Sequence, residues 1–126
     1  MDALRRALGG LLLLHALIFL LFALLHAGLP LGPVREPVIV PATIVETLCA
    51  AAMLTGAYGA LSGRAWAWDG LIYTQSAALG GVMLGILSLT LSPGAATALL
   101  TWYHSAMALA LAAGLTGSFY VSRVRR

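Results

Sequence analysis

Four ionisable side chains fall inside or at the edge of long apolar stretches: His15, His26, Glu46 and His104. Ionisable groups within a bilayer are costly, and they mark ligand sites, ion paths or proton relays. A carboxylate beside an imidazole can hold or pass a proton, because imidazole titrates near neutral pH. Two histidines on facing helices could serve as axial haem ligands, and a His–Glu pair could hold a metal ion.

Helical geometry sorts the four residues into two tiers. His26 lies within a turn of the outer end of the first apolar segment, and Glu46 in the first turn of the second. His15 is about 12 Å in from Ala7, and His104 about 16 Å in from Pro93, both near a bilayer midplane. His15 and His26 are eleven residues apart, about 1100° of rotation, so they share one face with Leu12, Phe19 and Phe22. In the last segment Thr97, Thr101, His104, Ser105 and Ala108 form a small and polar stripe that is expected to face the bundle interior. A ligand or proton pathway would then run through His15, His26, Glu46 and His104, lined by Thr97, Thr101, Ser105 and Gln75.

Three readings compete for these residues. In the first they are structural: Glu46 closes a helix cap, and each histidine bonds to neighbouring backbone or hydroxyl groups. In the second they form a proton or ion path from the outer surface to the midplane. In the third they bind haem or a metal, although neither C-x-x-C-H nor a helical Glu-x-x-His is present. Soluble-type catalytic motifs are absent: no G-x-S-x-G, no H-E-x-x-H, no phosphate loop and no dinucleotide fingerprint. His104 and Ser105 are adjacent, so they point about 100° apart on a helix and cannot act as a direct base–nucleophile pair. A binding role is therefore expected rather than an enzymatic one.

The elements that must position these groups follow from charge. The chain has 126 residues, of which 61% are hydrophobic and 9% charged. Soluble domains average about 25% charged residues, and disordered chains are poor in apolar ones. Ala7 to Val34 and Gly70 to Ser122 carry no Asp, Glu, Lys or Arg. A membrane span needs about 20 apolar residues. The first run is one span, and the second is two spans joined at Ser92-Pro93-Gly94. Thr43 to Leu61 adds another. The expectation is a single all-α transmembrane domain, 1–126, with spans near 7–28, 43–62, 70–91 and 94–121. The apolar stretch of the first span is about twice a signal-peptide core, which argues against a cleaved leader.

Orientation follows from arginine, since lysine is absent. With four spans Arg5, Arg6, Arg64, Arg123, Arg125 and Arg126 share one side, and Arg35 lies opposite. The positive-inside rule then places both termini in the cytoplasm of a multi-pass inner (plasma) membrane protein. Flanking arginines account for the net charge of +3 without a nucleic-acid partner. The lone Cys49 can form no internal disulfide and reads as a small buried residue.

Local signals refine the elements. Asp2, Thr43, Asp69 and Ser92 are candidate N-caps, with Thr43 and Glu46 matching a capping box and Pro93 at N1 of the last helix. Gly28 and Pro30 end the first helix. The outer loop 29–42 holds Pro30, Pro33, Pro37 and Pro41, a spacing that favours extended polyproline II over sheet ladders. It is expected to lie on the membrane surface or over the mouth of the bundle. Gly81 and Gly85 form a GxxxG pair, and Gly56 and Ala60 a second small-xxx-small pair. Trp66 and Trp68 read as interfacial residues.

Leu4-Arg5-Arg6-Ala7-Leu8-Gly9, Ile44-Val45-Glu46-Thr47 and the small stretch ending in Thr55-Gly56-Ala57 resemble the DoxX-like small four-helix bacterial membrane proteins. The resemblance covers mainly the first half. It implies a four-helix bundle associated with redox or quinone-linked membrane partners, and it supplies no catalytic residue. The combined expectation is an integral membrane four-helix up-down bundle that binds a ligand, ion or partner through polar residues in its outer half. The alternatives are an accessory subunit of a membrane redox or transport complex, or a bis-His haem- or metal-binding protein. So small a bundle has little room for a private transport path, which points to a homo-oligomer or a larger membrane complex.

Overall fold

A computed structural model describes residues 1–124 of the chain. Arg125 and Arg126, counted above with the terminal-side arginines, lie outside the described residues. The described chain is all-α, with helices α1 (Asp2–His26), α2 (Val40–Leu61), α3 (Ala67–Leu91) and α4 (Ala98–Val124) and a short 3-10 turn at Pro93–Ala95. All four helices are long and apolar enough to cross a membrane. At about 1.5 Å per residue even α2 reaches about 33 Å, slightly more than a bilayer's hydrocarbon core.

Successive helices run antiparallel, as the pairing of distant residues shows. On α1 and α2, a methyl added at Gly9 would lie 2.9 Å from Ala60 Cβ, one at Gly56 would lie 2.7 Å from Leu12, and His26 meets Glu46. On α2 and α3, Gly56 abuts Thr74, and a methyl at Gly81 would lie 2.6 Å from Cys49 Sγ. On α3 and α4, Gly85 abuts His104 and Gly114 abuts Gln75. The missing side chains let the backbones approach closely and gain dispersion contact. The GxxxG pair does not serve one crossing, because Gly81 faces α2 while Gly85 faces α4. α1 reaches α4 through aromatic rings: Tyr103 stacks on Phe22 with centroids 3.6 Å apart and meets Phe19 edge-on at 6.4 Å.

The helix ends depart from the cap signals. α2 begins at Val40 with Ile39 as N-cap and Pro41 in its first turn, so Thr43 is already helical and its hydroxyl donates back to the Ile39 carbonyl at 3.2 Å. Proline's fixed φ starts the helix earlier than the capping box would, and Glu46 is freed for another partner. Asp2 and Asp69 sit in the first turns of α1 and α3 without capping them. Asp2 instead pairs with Arg5 at 3.4 Å.

Ser92 ends α3 rather than capping α4. The cap of α4 is Thr97, whose hydroxyl oxygen accepts the Leu100 N–H at 3.1 Å and donates to the Glu36 carboxylate at 3.0 Å. That pair ties the proline-rich loop to α4. Thr97→Ala is expected to cost about 1 kcal/mol of stability, the usual worth of a cap. It should speed amide exchange in the first turn of α4, and unchanged exchange there would contradict the capping role.

The loop is not purely extended. Leu31 and Val34 exchange both backbone hydrogen bonds at 3.1 Å around Gly32, whose φ is +62°. Glycine takes the left-handed first position and Pro33 the second, where no donor is needed, so the prolines spare this one bridge.

Arg5, Arg64 and Arg123 gather at the end of the bundle that holds the N-terminus of α1 and the C-terminus of α4. Arg5 donates to the Ala60 carbonyl, adding a cation to the C-terminal end of α2. Arg64 donates to the Tyr58 hydroxyl and lies over its ring. Trp66 fills the space left by Gly59 and Gly70, which closes the α2–α3 turn.

Candidate functional site

A cavity of about 330 Å³ opens between α2, α3 and α4 at the loop end of the bundle, with α1 behind it. Its lining is largely apolar. The polar groups that reach it are His26, Glu46, Ser88, Tyr103 and His104.

His26 is the last residue of α1, and Glu46 sits six residues into α2, about 9 Å below its start. Both are buried, with His26 Nδ1 2.8 Å from Glu46 Oε2. The pair rests on the face of α1 that buries Leu12, His15, Phe19 and Phe22, as the eleven-residue spacing predicts. His26 Nε2 is buried without a hydrogen-bond partner, and so is the Tyr103 hydroxyl. Buried polar atoms are nearly always satisfied by protein or water. His26 and Tyr103 both line this cavity.

His104 completes the wall. It lies six residues into α4, level with Glu46, because α4 begins at Ala98 and not at Pro93. The expected pairing of His15 with His104 at the midplane is thereby replaced: His104 joins the tier of His26 and Glu46. Its Nδ1 donates to the Leu100 carbonyl at 2.8 Å, and its Nε2 occupies the space left by Gly85.

His15 stays deeper, eleven residues or about 16 Å along α1 from His26. It is buried, its Nδ1 lacks a partner, and it does not line the cavity. The structure thus brings three of the four residues together and leaves His15 apart.

The residues expected to line a pathway separate similarly. Thr97 is half-buried in its cap. Thr101 and Ser105 are exposed, and Thr101 donates back to the Thr97 carbonyl at 3.0 Å. α4 turns Leu100, Tyr103, Met107, Leu111, Gly114 and Ser118 inward instead. Apolar burial outweighed the small polar stripe, in which Thr101 bonds back to its own helix and Thr97 to Glu36. Gln75 is fully buried far from the cavity, donating to the Leu71 carbonyl at 2.8 Å and the Ser118 hydroxyl at 3.0 Å.

Tyr103 is the site residue that sequence reasoning missed. Its signal was the apolar spacing of Leu100, Tyr103, Met107 and Leu111, which competes with the polar stripe one residue away.

Among the described residues no group of three or more His, Cys, Asp or Glu side chains is placed to hold a metal ion. His15 does not line the cavity that holds His104. Cys49 is buried against Gly81. Compared with family models, curated proteins and solved structures, the chain matches none.

Proposed function

We propose that the chain is a small multi-pass protein of the inner membrane, with both termini cytoplasmic, that binds an amphipathic small molecule in the loop-end cavity. The observation that carries this reading is the two orphaned buried atoms, His26 Nε2 and Tyr103 Oη, on residues lining one largely apolar space. A concave apolar pocket with a few convergent polar groups is the usual form of a small-molecule site. Leu84, Ser88 and Pro41 are both lining and exposed on the outside of the bundle, so the cavity is reachable from the surrounding lipid. The cytoplasmic placement rests on Arg5, Arg6, Arg64 and Arg123 at one end against Arg35 at the other.

Native mass spectrometry of protein purified in mild detergent tests the binding reading. Wild-type protein is expected to retain a small amphipathic adduct. Ala42→Trp, one turn before Glu46 on the same face of α2, fills the cavity and should abolish that adduct. Identical spectra for the two proteins would refute the site.

A further inference from the structure

We propose that the occupant is an amphipathic amine, with a protonated nitrogen at one end and an apolar body at the other. The inference rests on the ligand-binding reading above and names its chemical class.

Hydrogen-bond polarity comes first. His104 donates its Nδ1 proton to a backbone carbonyl, which can only accept, so in the neutral ring Nε2 is a bare acceptor. Gly85 leaves the space in which that nitrogen sits. Glu46 meets His26 through Oε2, and its carboxylate lines the cavity beside Tyr103. The Tyr103 hydroxyl can rotate to accept as readily as to donate. The cavity therefore offers acceptors to a donor-rich head group.

Charge points the same way. None of the described arginines lines the cavity, and Arg35 belongs to a separate cleft of about 190 Å³ with Glu36. The one carboxylate that lines the cavity, Glu46, faces a single imidazole and no guanidinium. An isolated buried charge is strongly unfavourable, and an ammonium group removes that penalty where a neutral alcohol does not. Aromatic rings supply the rest. Phe19 and Tyr103 line the cavity and form one cluster with Phe22, an apolar wall for the body of the amine.

The test compares two probes with one body, 4-phenylbutylamine and 4-phenylbutanol, titrated calorimetrically into the full chain in zwitterionic nanodiscs against empty nanodiscs. The amine is expected to bind at least about tenfold more tightly, and Glu46→Gln, which keeps the shape and removes the charge, should bring the two within about twofold. An amine that binds no more tightly than the alcohol to wild-type protein overturns the proposal, whether or not the variant folds. If both probes bind equally and both are lost in Ala42→Trp, the amine is rejected while the ligand site stands. If Ala42→Trp changes neither, both readings fall.

Discussion

Truncating Glu46 to alanine is expected to destabilise the bundle by about 3 kcal/mol. Removing one member of a buried charged or hydrogen-bonded pair leaves the other without compensation, which typically costs about 3–5 kcal/mol. The lower end applies because an unfolded chain in a membrane also finds polar partners. His26 is the vulnerable member. Its Nε2 is already unpartnered, so losing Glu46 leaves the whole ring buried without a hydrogen bond. Reversible unfolding in mixed micelles of graded denaturing detergent would measure the loss. Glu46→Gln keeps the contact and should cost less than about 1 kcal/mol. The double variant His26→Phe/Glu46→Leu should recover most of the stability, because well-packed apolar residues often replace a buried pair without loss. A Glu46→Ala protein as stable as wild type would show that the pair is not coupled in the fold.

Gly56→Leu is expected to cost about 3 kcal/mol, at the upper end of the usual penalty for overpacking a close-packed core. Gly56 is buried where three helices meet. A single methyl there would overlap Thr74 Oγ1 of α3 and lie 2.7 Å from Leu12 of α1. Relief toward one neighbour tightens the other, so α2 must separate from α1 or from α3. Thr74 is not free to swing away without losing its 2.8 Å bond to the Gly70 carbonyl. Gly80→Leu is the matched control, since nothing lies within 4 Å of a methyl at that position. It should fall within about 0.5 kcal/mol of wild type, as surface substitutions do. The same unfolding measurement separates the two, and equal stabilities would contradict the tight crossing at Gly56.

Charge scarcity and arginine placement made the four helices legible. Long runs without Asp, Glu, Lys or Arg have few stable alternatives in lipid, where the backbone must satisfy its own hydrogen bonds. The inward face of α1 was legible too, because His15, Phe19, Phe22 and His26 recur at helical spacing and are all buried. The pairing of His26 with Glu46 followed from their shared depth near the loop end.

Other features depended on contacts between segments distant in the chain. The start of α4 moved from Pro93 to Ala98 because Thr97 caps the helix while holding Glu36, sixty-one positions earlier. That shift carried His104 from the midplane to the level of Glu46. Glu46 itself looked like a cap residue, because a capping box and a buried carboxylate present the same local pattern. Its role was decided by the imidazole 2.8 Å away on another helix. The inward choice of Tyr103 over Thr101 and Ser105 was likewise tertiary. Hydroxyls can bond to their own helix and tolerate exposure, whereas the Phe19–Phe22–Tyr103 contact forms only when α4 turns its apolar stripe toward α1. Sequence alone therefore determined which segments are helices and which face of α1 is buried, because both follow from local periodicity and charge. Only the tertiary structure decided the depth of His104, the inward turn of Tyr103 and the cavity they share with Glu46, because each depends on the register between helices.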